Sequence, residues 1–150
     1  MESIWTMASA AEWAAAGKLE AWIHGYLTGE GNNQALSDGL KKAKRRYFGP
    51  IVFPLRSLER CTGPEESMKY REESRSFEPR IQKIEQAIQQ GFDLPPLIVN
   101  YSSGRFELND GNHRHEALIR SQIEHFGVII WTTGKADFEA FKARTFDFSL

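Results

Sequence analysis

One short segment gathers the residue types that could hold a charged ligand, Leu108-Asn109-Asp110-Gly111-Asn112-His113-Arg114-His115-Glu116-Ala117-Leu118. Residues 105–109 alternate polar and apolar side chains as a half-buried strand does, and Asp110-Gly111 breaks that pattern. Residues 113–122 then follow a helical pattern. A strand that turns directly into a helix leaves the first helical N–H groups unpaired, and with the helix dipole these attract anions, phosphate above all. The segment therefore predicts a phosphate-binding strand-turn-helix.

The basic side chains at this turn are unfavourable for the start of a helix but favourable for binding an anion. Gly111 permits a tight turn and lets a ligand approach the backbone. Arg114 lies in the first helical turn, where a cation is mildly unfavourable but where its guanidinium could bind phosphate bidentately. His113 and His115 add donors at the same end of the helix. We therefore predict that Gly111, Asn112, His113 and Arg114 bind the phosphate.

Simpler interpretations of the same residues stay open. Asp110 or Asn109 could merely cap the helix, with the basic groups solvated. A shared metal ion is not expected at His113 and His115, because a spacing of two on a helix points the rings to different sides. We therefore predict no metal site formed by the protein alone.

The overall charge does not indicate a dedicated DNA-binding domain. The 150 residues carry a formal net charge of −1, and the pI is about 6.4. Residues 41–46 nevertheless concentrate five positive charges in six positions. Such a run is most often a solvated helix face. If it faced the 111–114 turn, it would steer polyphosphate or nucleic acid towards that turn.

The cysteine content and the hydropathy of the chain indicate its cellular compartment. Cys61 is the only cysteine, and a lone cysteine cannot form an internal disulfide, which favours a reducing cytoplasm. The N-terminus has no basic leader, and Glu2 and Glu12 interrupt it, which argues against a signal peptide. No apolar run approaches the ~20 residues of a membrane span. We expect a cytoplasmic protein without a membrane partner.

The periodicity of the chain predicts a mixed α/β domain. Helices are expected over residues 8–28, 33–47, 78–90, 113–122 and 136–144, with a short one over 65–70. Strands are expected over residues 51–55, 97–101, 105–109 and 126–132, and Pro54 makes the first of them an edge strand.

This order suggests an N-terminal helical extension, residues 1–48, packed on a main domain, residues 49–150. Trp5, Trp13 and Trp22 lie in the extension, where they would pack in the core or form a dimer contact.

The main domain resembles the ParB/sulfiredoxin superfamily. The resemblance rests on Leu97-Ile98-Val99, on Phe106-Glu107-Leu108 and on the segment Asp110 to Ala117, and covers roughly residues 50–132. In that superfamily a β-hairpin leads into a Gly-x-x-Arg-x-x-Ala helix start that binds nucleotide phosphates. Gly111, Arg114 and Ala117 occupy those positions. The resemblance therefore implies a ParB/sulfiredoxin-like fold that binds a nucleotide, whereas the first 48 residues have no counterpart in it.

Departures from the superfamily distinguish its branches. Sulfiredoxins carry a nucleophilic cysteine directly before the His-Arg pair, where this chain has Asn112, and Cys61 is distant in sequence. Sulfinic-acid repair is therefore not expected. Partition proteins similar to ParB add a helix-turn-helix domain, and too few residues follow the last predicted strand to form one. Clamping of centromere DNA would then need a partner that reads the DNA.

A third branch, ParB-like free-serine kinases, uses an Asp-Gly-x-x-Arg turn with a glutamate from an upstream loop. Asp110, Gly111 and Arg114 match the turn, and Glu65 or Glu66 could supply the glutamate. Asp110, Glu65 and His113 are then the candidate catalytic residues, with Mg²⁺ accompanying ATP, ADP or CTP. Alternatively, Glu65 and Glu66 are a solvated helix start after Pro64.

Three functions follow from these observations. The first is binding of a nucleotide or another phosphate ester, with NTP hydrolysis or phosphoryl transfer left open. The second is a nucleic-acid-associated module, either a nuclease or a DNA-binding partition accessory. The third is a non-catalytic interaction domain that keeps the fold without the chemistry.

Overall fold

A computed structural model describes residues 3–144 of the chain. The described part has six α-helices: α1 (Met7–Ala15), α2 (Leu19–Thr28), α3 (Gln34–Leu40), α4 (Ser74–Gln89), α5 (Asn112–Arg120) and α6 (Gly134–Arg144). It has seven strands: β1 (Arg45–Pro54), β2 (Glu59–Arg60), β3 (Thr62–Gly63), β4 (Tyr70–Arg71), β5 (Leu97–Ser102), β6 (Arg105–Asp110) and β7 (His125–Thr133). A 3-10 turn, Leu55–Ser57, follows β1.

Five strands form one mixed sheet in the order β1-β7-β5-β6-β2. The pairs β1–β7 and β5–β6 are antiparallel, whereas β5–β7 and β2–β6 are parallel. The mixed sheet confirms the predicted fold class. The predicted edge strand is also confirmed, because β1 ends at Pro54 on the outer side of the sheet, where a proline costs no ladder hydrogen bond.

Alternation along the strands gives the sheet two apolar faces. On one face Val99, Leu108 and Ile130 pack with Leu118 of α5 and Phe141 of α6. On the other face, a second cluster joins the sheet to the N-terminal helices, with Ile98, Ile129, Trp131, Trp22, Ile23 and Leu27 as members. The helix α5 therefore packs on the first of these two faces. Within residues 3–144, no helix is both long enough and apolar enough to cross a bilayer.

The N-terminal region differs from its prediction in two places. The helix expected over residues 8–28 is divided into α1 and α2, because Gly17 adopts a positive φ of 74° between them. The helix expected over residues 33–47 ends at Leu40. The prediction of helix for residues 45–47 was wrong, because Arg45 already pairs with Thr133 in β1. The strand β1 therefore runs across the boundary expected at residues 48 and 49.

The segment between β2 and α4 also differs from its prediction. The short helix expected over residues 65–70 is absent from the described chain, and the segment is a loop closed by the β3–β4 pair. Backbone bonds from Tyr70 N–H to Cys61 O and from Glu72 N–H to Gly63 O hold it in place. The helix α4 begins at Ser74, earlier than predicted, and Pro79 lies inside it, although proline usually marks the first turn of a helix.

Candidate functional site

The helix α5 begins without a capping side chain. Gly111 is its N-cap residue, with a φ of 100°, and no side chain in the described part of the chain accepts a hydrogen bond from the first-turn N–H groups. The simpler interpretation of Asp110 or Asn109 as the cap is therefore wrong. Asn109 Oδ1 instead accepts a hydrogen bond from Trp131 Nε1 at 2.9 Å. The first-turn N–H groups of α5 are therefore without a side-chain partner, as an anion site requires.

Arg114 lies directly against this turn. Its Nη2 would be 2.8 Å from a Cβ placed on Gly111, so the two residues are in contact. Nη1 donates to the Tyr26 hydroxyl at 3.0 Å, and Nη2 donates to Pro96 O at 3.1 Å. Nη2 is also 3.5 Å from Asp110 Oδ2. Only 12% of the side chain is exposed. The guanidinium is therefore near the helix start but is held by internal partners.

Asp110 joins the turn to the N-terminal helices. Its Oδ1 accepts a hydrogen bond from Asn33 Nδ2 at 2.9 Å, and 9% of its side chain is exposed. Asn33 is the N-cap of α3, where its Oδ1 accepts from Leu36 N–H. The sequence did not indicate that Asn33 or Tyr26 belongs to the site, because nothing local relates them to a turn so distant in the chain.

Asn112 uses its side chain to hold the loop after β2. Its Oδ1 accepts hydrogen bonds from Cys61 N–H at 2.9 Å and Thr62 N–H at 3.1 Å. Its Nδ2 donates to Leu108 O at 3.3 Å, and the residue is 5% exposed. The amide therefore has structural partners on both ends, which leaves the backbone N–H as the group that Asn112 can offer to an anion.

Cys61, although distant in sequence, lies beside Asn112. Its Sγ donates to Leu108 O at 2.8 Å and is 3.9 Å from Asn112 Nδ2. Burial raises the pKa of the Cys61 thiol. A buried, protonated thiol is a poor nucleophile, so this environment does not favour thiol chemistry.

His113 and His115 point to different sides of α5, as their spacing predicts. His113 Nε2 is 2.8 Å from Glu72 Oε1. His115 Nε2 is 2.8 Å from Leu55 O, and burial lowers the pKa of His115. Among residues 3–144, no group of three or more His, Cys, Asp or Glu side chains is arranged to hold a metal ion.

The glutamate expected to assist the turn is paired elsewhere. Glu65 Oε1 accepts from Arg60 Nη2 at 2.6 Å and makes no bond to Asp110. The loop instead brings Glu72 to His113, a contact that the sequence analysis missed. Burial tends to raise the pKa of Glu72, but bonds from His113 and Ser76, with the charges of His113 and Arg80, lower it overall.

A cavity of about 630 Å³ lies between α3, the sheet and the loop after β2, and Asn109 is the residue of its lining that is nearest in sequence to Gly111. Its lining includes Asn33, Leu36, Arg45, Thr62, Asn109 and Trp131. The predicted basic run contributes Arg45, whose guanidinium lies 5.0 Å from the Trp131 ring centre. Arg46 lies over the Phe138 ring. These two arginines are in β1, so the interpretation of residues 41–46 as a solvated helix face was wrong for them.

Comparison with known proteins gives matches only among solved structures. No family model and no curated protein matches the sequence. A Pnob8-like ParB-N domain is 16% identical over 69% of this chain and 38% of its own, with a TM-score of 0.41. Sulfiredoxin from Arabidopsis thaliana is 18% identical over 63% of this chain and 99% of its own, with a TM-score of 0.40.

The third structure is the C-terminally truncated chromosome-partitioning protein ParB from Caulobacter crescentus, complexed with CTP-gamma-S. It is 18% identical over 67% of this chain and 52% of its own, with a TM-score of 0.39. The chain thus spans about two fifths of the length of the ParB-N domain structure and about half of the length of the truncated ParB structure. These likenesses concern the fold alone. The described chain is a mixed α/β fold whose sheet is preceded by three N-terminal helices.

Proposed function

We propose that the chain binds a nucleotide or another phosphate ester, with a phosphate at the start of α5. One observation carries the proposal: the first turn of α5 has no side-chain cap, and the Arg114 guanidinium lies against it. Backbone N–H groups of Asn112, His113 and Arg114 would donate to the phosphate oxygens, aided by the helix dipole. Gly111, which has no Cβ, leaves room for the ligand to approach.

Arg114 would exchange its partners when the phosphate binds. Its closest acceptors are the Tyr26 hydroxyl and Pro96 O, both neutral, and the Asp110 carboxylate is further away at 3.5 Å. A phosphate carries more negative charge than a hydroxyl or a carbonyl and accepts a bidentate guanidinium well. The exchange is therefore favourable if the Arg114 side chain can turn towards the helix start.

The remainder of the ligand would occupy the neighbouring cavity. A volume of about 630 Å³ is in the range of small-molecule sites. The cavity offers polar groups on Asn33 and Asn109 and an aromatic wall at Trp131. Its charged groups are the Arg45 cation and the Lys69–Glu107 ion pair. Such a mixture suits a ligand with a planar ring and several polar atoms.

Magnesium would be held mainly by the ligand. Asp110 already accepts from Asn33 and faces Arg114, and Glu65 is bonded to Arg60. Neither carboxylate is free to form a protein-only site, although Mg²⁺ commonly binds through phosphates with few protein ligands. Asp110 and Glu65 as catalytic carboxylates stay a separate proposal. If Asp110 acts in turnover, Asp110→Asn should abolish turnover and spare binding.

The proposal is tested by equilibrium binding and thermal shifts with ATP, ADP, CTP and GTP, each with and without Mg²⁺. We expect at least one nucleotide to bind the wild type, and Arg114→Ala to weaken that binding about 10-fold or more, because bonds to a charged group contribute about 1.5–3 kcal/mol. Arg120→Ala is the matched control. It removes an arginine from the opposite end of α5, where Arg120 pairs with Glu78 and Glu116.

Other results would assign another function. Equal loss in the Arg114 and Arg120 variants, or unchanged binding in both, would place the ligand elsewhere. Binding of duplex DNA that weakens steeply with salt would indicate the nucleic-acid-associated module, because counterion release dominates such binding. No shift with any nucleotide would favour the non-catalytic interaction domain, since a ligand specific for the folded state must stabilise it.

A further inference from the structure

A histidine and a carboxylate are in contact at the start of α5. His113 Nε2 lies 2.8 Å from Glu72 Oε1, and the exposed fractions of the two side chains are 22% and 16%. The pair is therefore partly screened from water yet still accessible. A carboxylate can only accept, so Nε2 carries the proton in this bond. Phosphate binding by backbone N–H groups requires neither of these side chains.

Both members of the pair are fixed in place by further contacts. Glu72 accepts a hydrogen bond from the Ser76 hydroxyl at 2.9 Å, and its N–H donates to Gly63 O. The His113 ring packs against the Phe77 ring with a centroid distance of 5.2 Å. Because Nδ1 is the ring nitrogen nearer to the main chain, a bond at Nε2 leaves Nδ1 beside the first turn of α5. The described residues give Nδ1 no hydrogen bond.

We propose that Glu72 and His113 form an acid–base dyad in which His113 Nδ1 accepts the proton of a water or alcohol that attacks the bound phosphate. The dyad rests on the proposed phosphate binding at α5. His113 would act on the attacking group, and Glu72 would be a positioning residue that fixes the imidazole tautomer and stabilises the imidazolium.

The step balances without any further reactant. The oxygen of the water or alcohol forms a new bond to phosphorus as the bond from phosphorus to the leaving-group oxygen breaks. The proton lost by the attacking oxygen moves to His113 Nδ1 and from there to bulk water, which restores neutral imidazole, while the leaving-group oxygen departs with the bonding electron pair as an anion. The reaction class is thus phosphoryl transfer to water or to a hydroxyl.

The charged surroundings favour this assignment over a simple ion pair at the surface. Arg80 of α4 lies 3.9 Å from Glu72 Oε2. Arg60 lies over the Phe77 ring, and Arg114 follows His113 on α5. These cations give the surroundings of the pair a positive charge, which would help to hold an anionic ligand beside it.

The test measures phosphate transfer from ATP, ADP, CTP and GTP with Mg²⁺, with water alone and with free serine as an added alcohol. Binding of the same nucleotides is measured in parallel. We expect His113→Gln to lower kcat roughly 100-fold with Kd nearly unchanged, the scale of general-base catalysis. Glu72→Gln should lower kcat by a smaller factor. It should also move the acidic limb of the kcat–pH profile to lower pH, because a negative charge beside the base is lost.

Glu78→Gln is the control for the Glu72 substitution. Glu78 is also on α4 and pairs with Arg120, so its loss tests a comparable carboxylate–cation contact far from the start of α5. We expect this variant to change thermal stability at most, with kcat and the pH profile preserved. The shifted acidic limb is the readout that a purely structural role for Glu72 would not produce.

Three outcomes would overturn the dyad. In the first, His113→Gln retains wild-type kcat. In the second, Glu72→Gln lowers thermal stability but leaves the pH profile where it was. In the third, the wild type binds nucleotide at α5 yet transfers phosphate from none of the four, so the dyad fails while the proposed function stands. Absence of binding, by contrast, would remove both proposals.

Discussion

The guanidinium of Arg114 has two competing sets of acceptors. One set is internal and consists of the Tyr26 hydroxyl, Pro96 O and the more distant Asp110 carboxylate. The other set is the phosphate of the proposed ligand. The internal bonds keep the guanidinium near the first turn of α5, which lowers the entropy lost on binding, but each must be exchanged. Affinity at this site therefore depends on how strongly Tyr26 holds Arg114.

Tyr26→Phe should tighten nucleotide binding by about 2- to 10-fold. The substitution removes one acceptor of the guanidinium, and a net hydrogen bond contributes about 0.5–1.5 kcal/mol. The aromatic ring, 5.8 Å from the guanidinium carbon, stays in place. Isothermal titration with the nucleotide that binds the wild type would measure the change.

Tyr47→Phe is the matched control for that experiment. The Tyr47 hydroxyl is buried without a hydrogen-bond partner among the described residues, and burial raises the pKa of Tyr47 to about 12. Its removal should leave nucleotide affinity unchanged. Weaker binding in Tyr26→Phe would mean that the Tyr26 hydroxyl contacts the ligand rather than competing with it.

At the scale of elements, the junction of β6 and α5 depends on one backbone conformation. Gly111 has a φ of 100°, and a Cβ at this position would lie 2.5 Å from Leu97 Cδ2 and 2.8 Å from Arg114 Nη2. The residue is therefore restricted both by its dihedral angle and by its neighbours. The uncapped helix start and the position of Arg114 both follow from this turn.

Gly111→Ala should lower the free energy of unfolding by about 2 kcal/mol or more, because a non-glycine residue is strained there and the Cβ has no room. Urea denaturation would measure it. Gly104→Ala is the control, since Gly104 also has a positive φ of 81° but has open space around it. A loss no larger than in Gly104→Ala would show that the contacts with Leu97 and Arg114 adjust at little cost.

The sequence allowed the elements from α4 to α6 to be predicted, because their apolar residues repeat with clear helical or strand periods. It did not allow the start of β1 to be predicted, because Arg45 and Arg46 resemble the end of a basic helix. Their place in a strand depends on pairing with Thr133 and Thr132 and on stacking over aromatic rings. Long-range pairing of this kind leaves no local pattern.

The same distinction applies to the candidate site. Gly111 and Arg114 lie within one turn, so local chemistry was enough to place them together. The contacts of Arg114 with Tyr26, of Asp110 with Asn33 and of His113 with Glu72 join distant segments. Residue types in sequence do not specify such pairs, and the contact of Glu72 with His113 is one that the sequence did not indicate.

At the scale of the whole molecule, buried histidines connect stability to pH. Burial lowers the pKa of His115 and, with help from Lys41, that of His24, both from 6.5. The Nδ1 atom of His115 and the Nε2 atom of His24 have no hydrogen-bond partner among the described residues. A proton added to His115 would therefore be poorly stabilised in the folded state, whereas at His24 the Glu20 carboxylate, 3.9 Å from Nε2, offsets part of the effect.

Stability should fall as the pH drops below about 6.5, because the unfolded chain takes up protons there before the folded chain does. Above that pH both states hold these imidazoles neutral, and their contribution is complete. Urea midpoints at pH 7.5, 6.5 and 5.5 would show the fall. His115→Gln can still donate to Leu55 O but does not titrate, so it should flatten the fall. If the urea midpoint of this variant fell as steeply with pH as that of the wild type, His115 would be excluded as a source of the pH dependence.

The pairing of β1 with β7 affects how the protein can be made. Arg45 is bonded into the sheet opposite Thr133, and the N-terminal helices pack on Ile129 and Trp131 of the same late strand. During translation, the early helices would leave the ribosome well before the surface that buries them exists. Contacts between residues so far apart in sequence are slow to form. The nascent chain would therefore need protection from aggregation until β7 has left the ribosome.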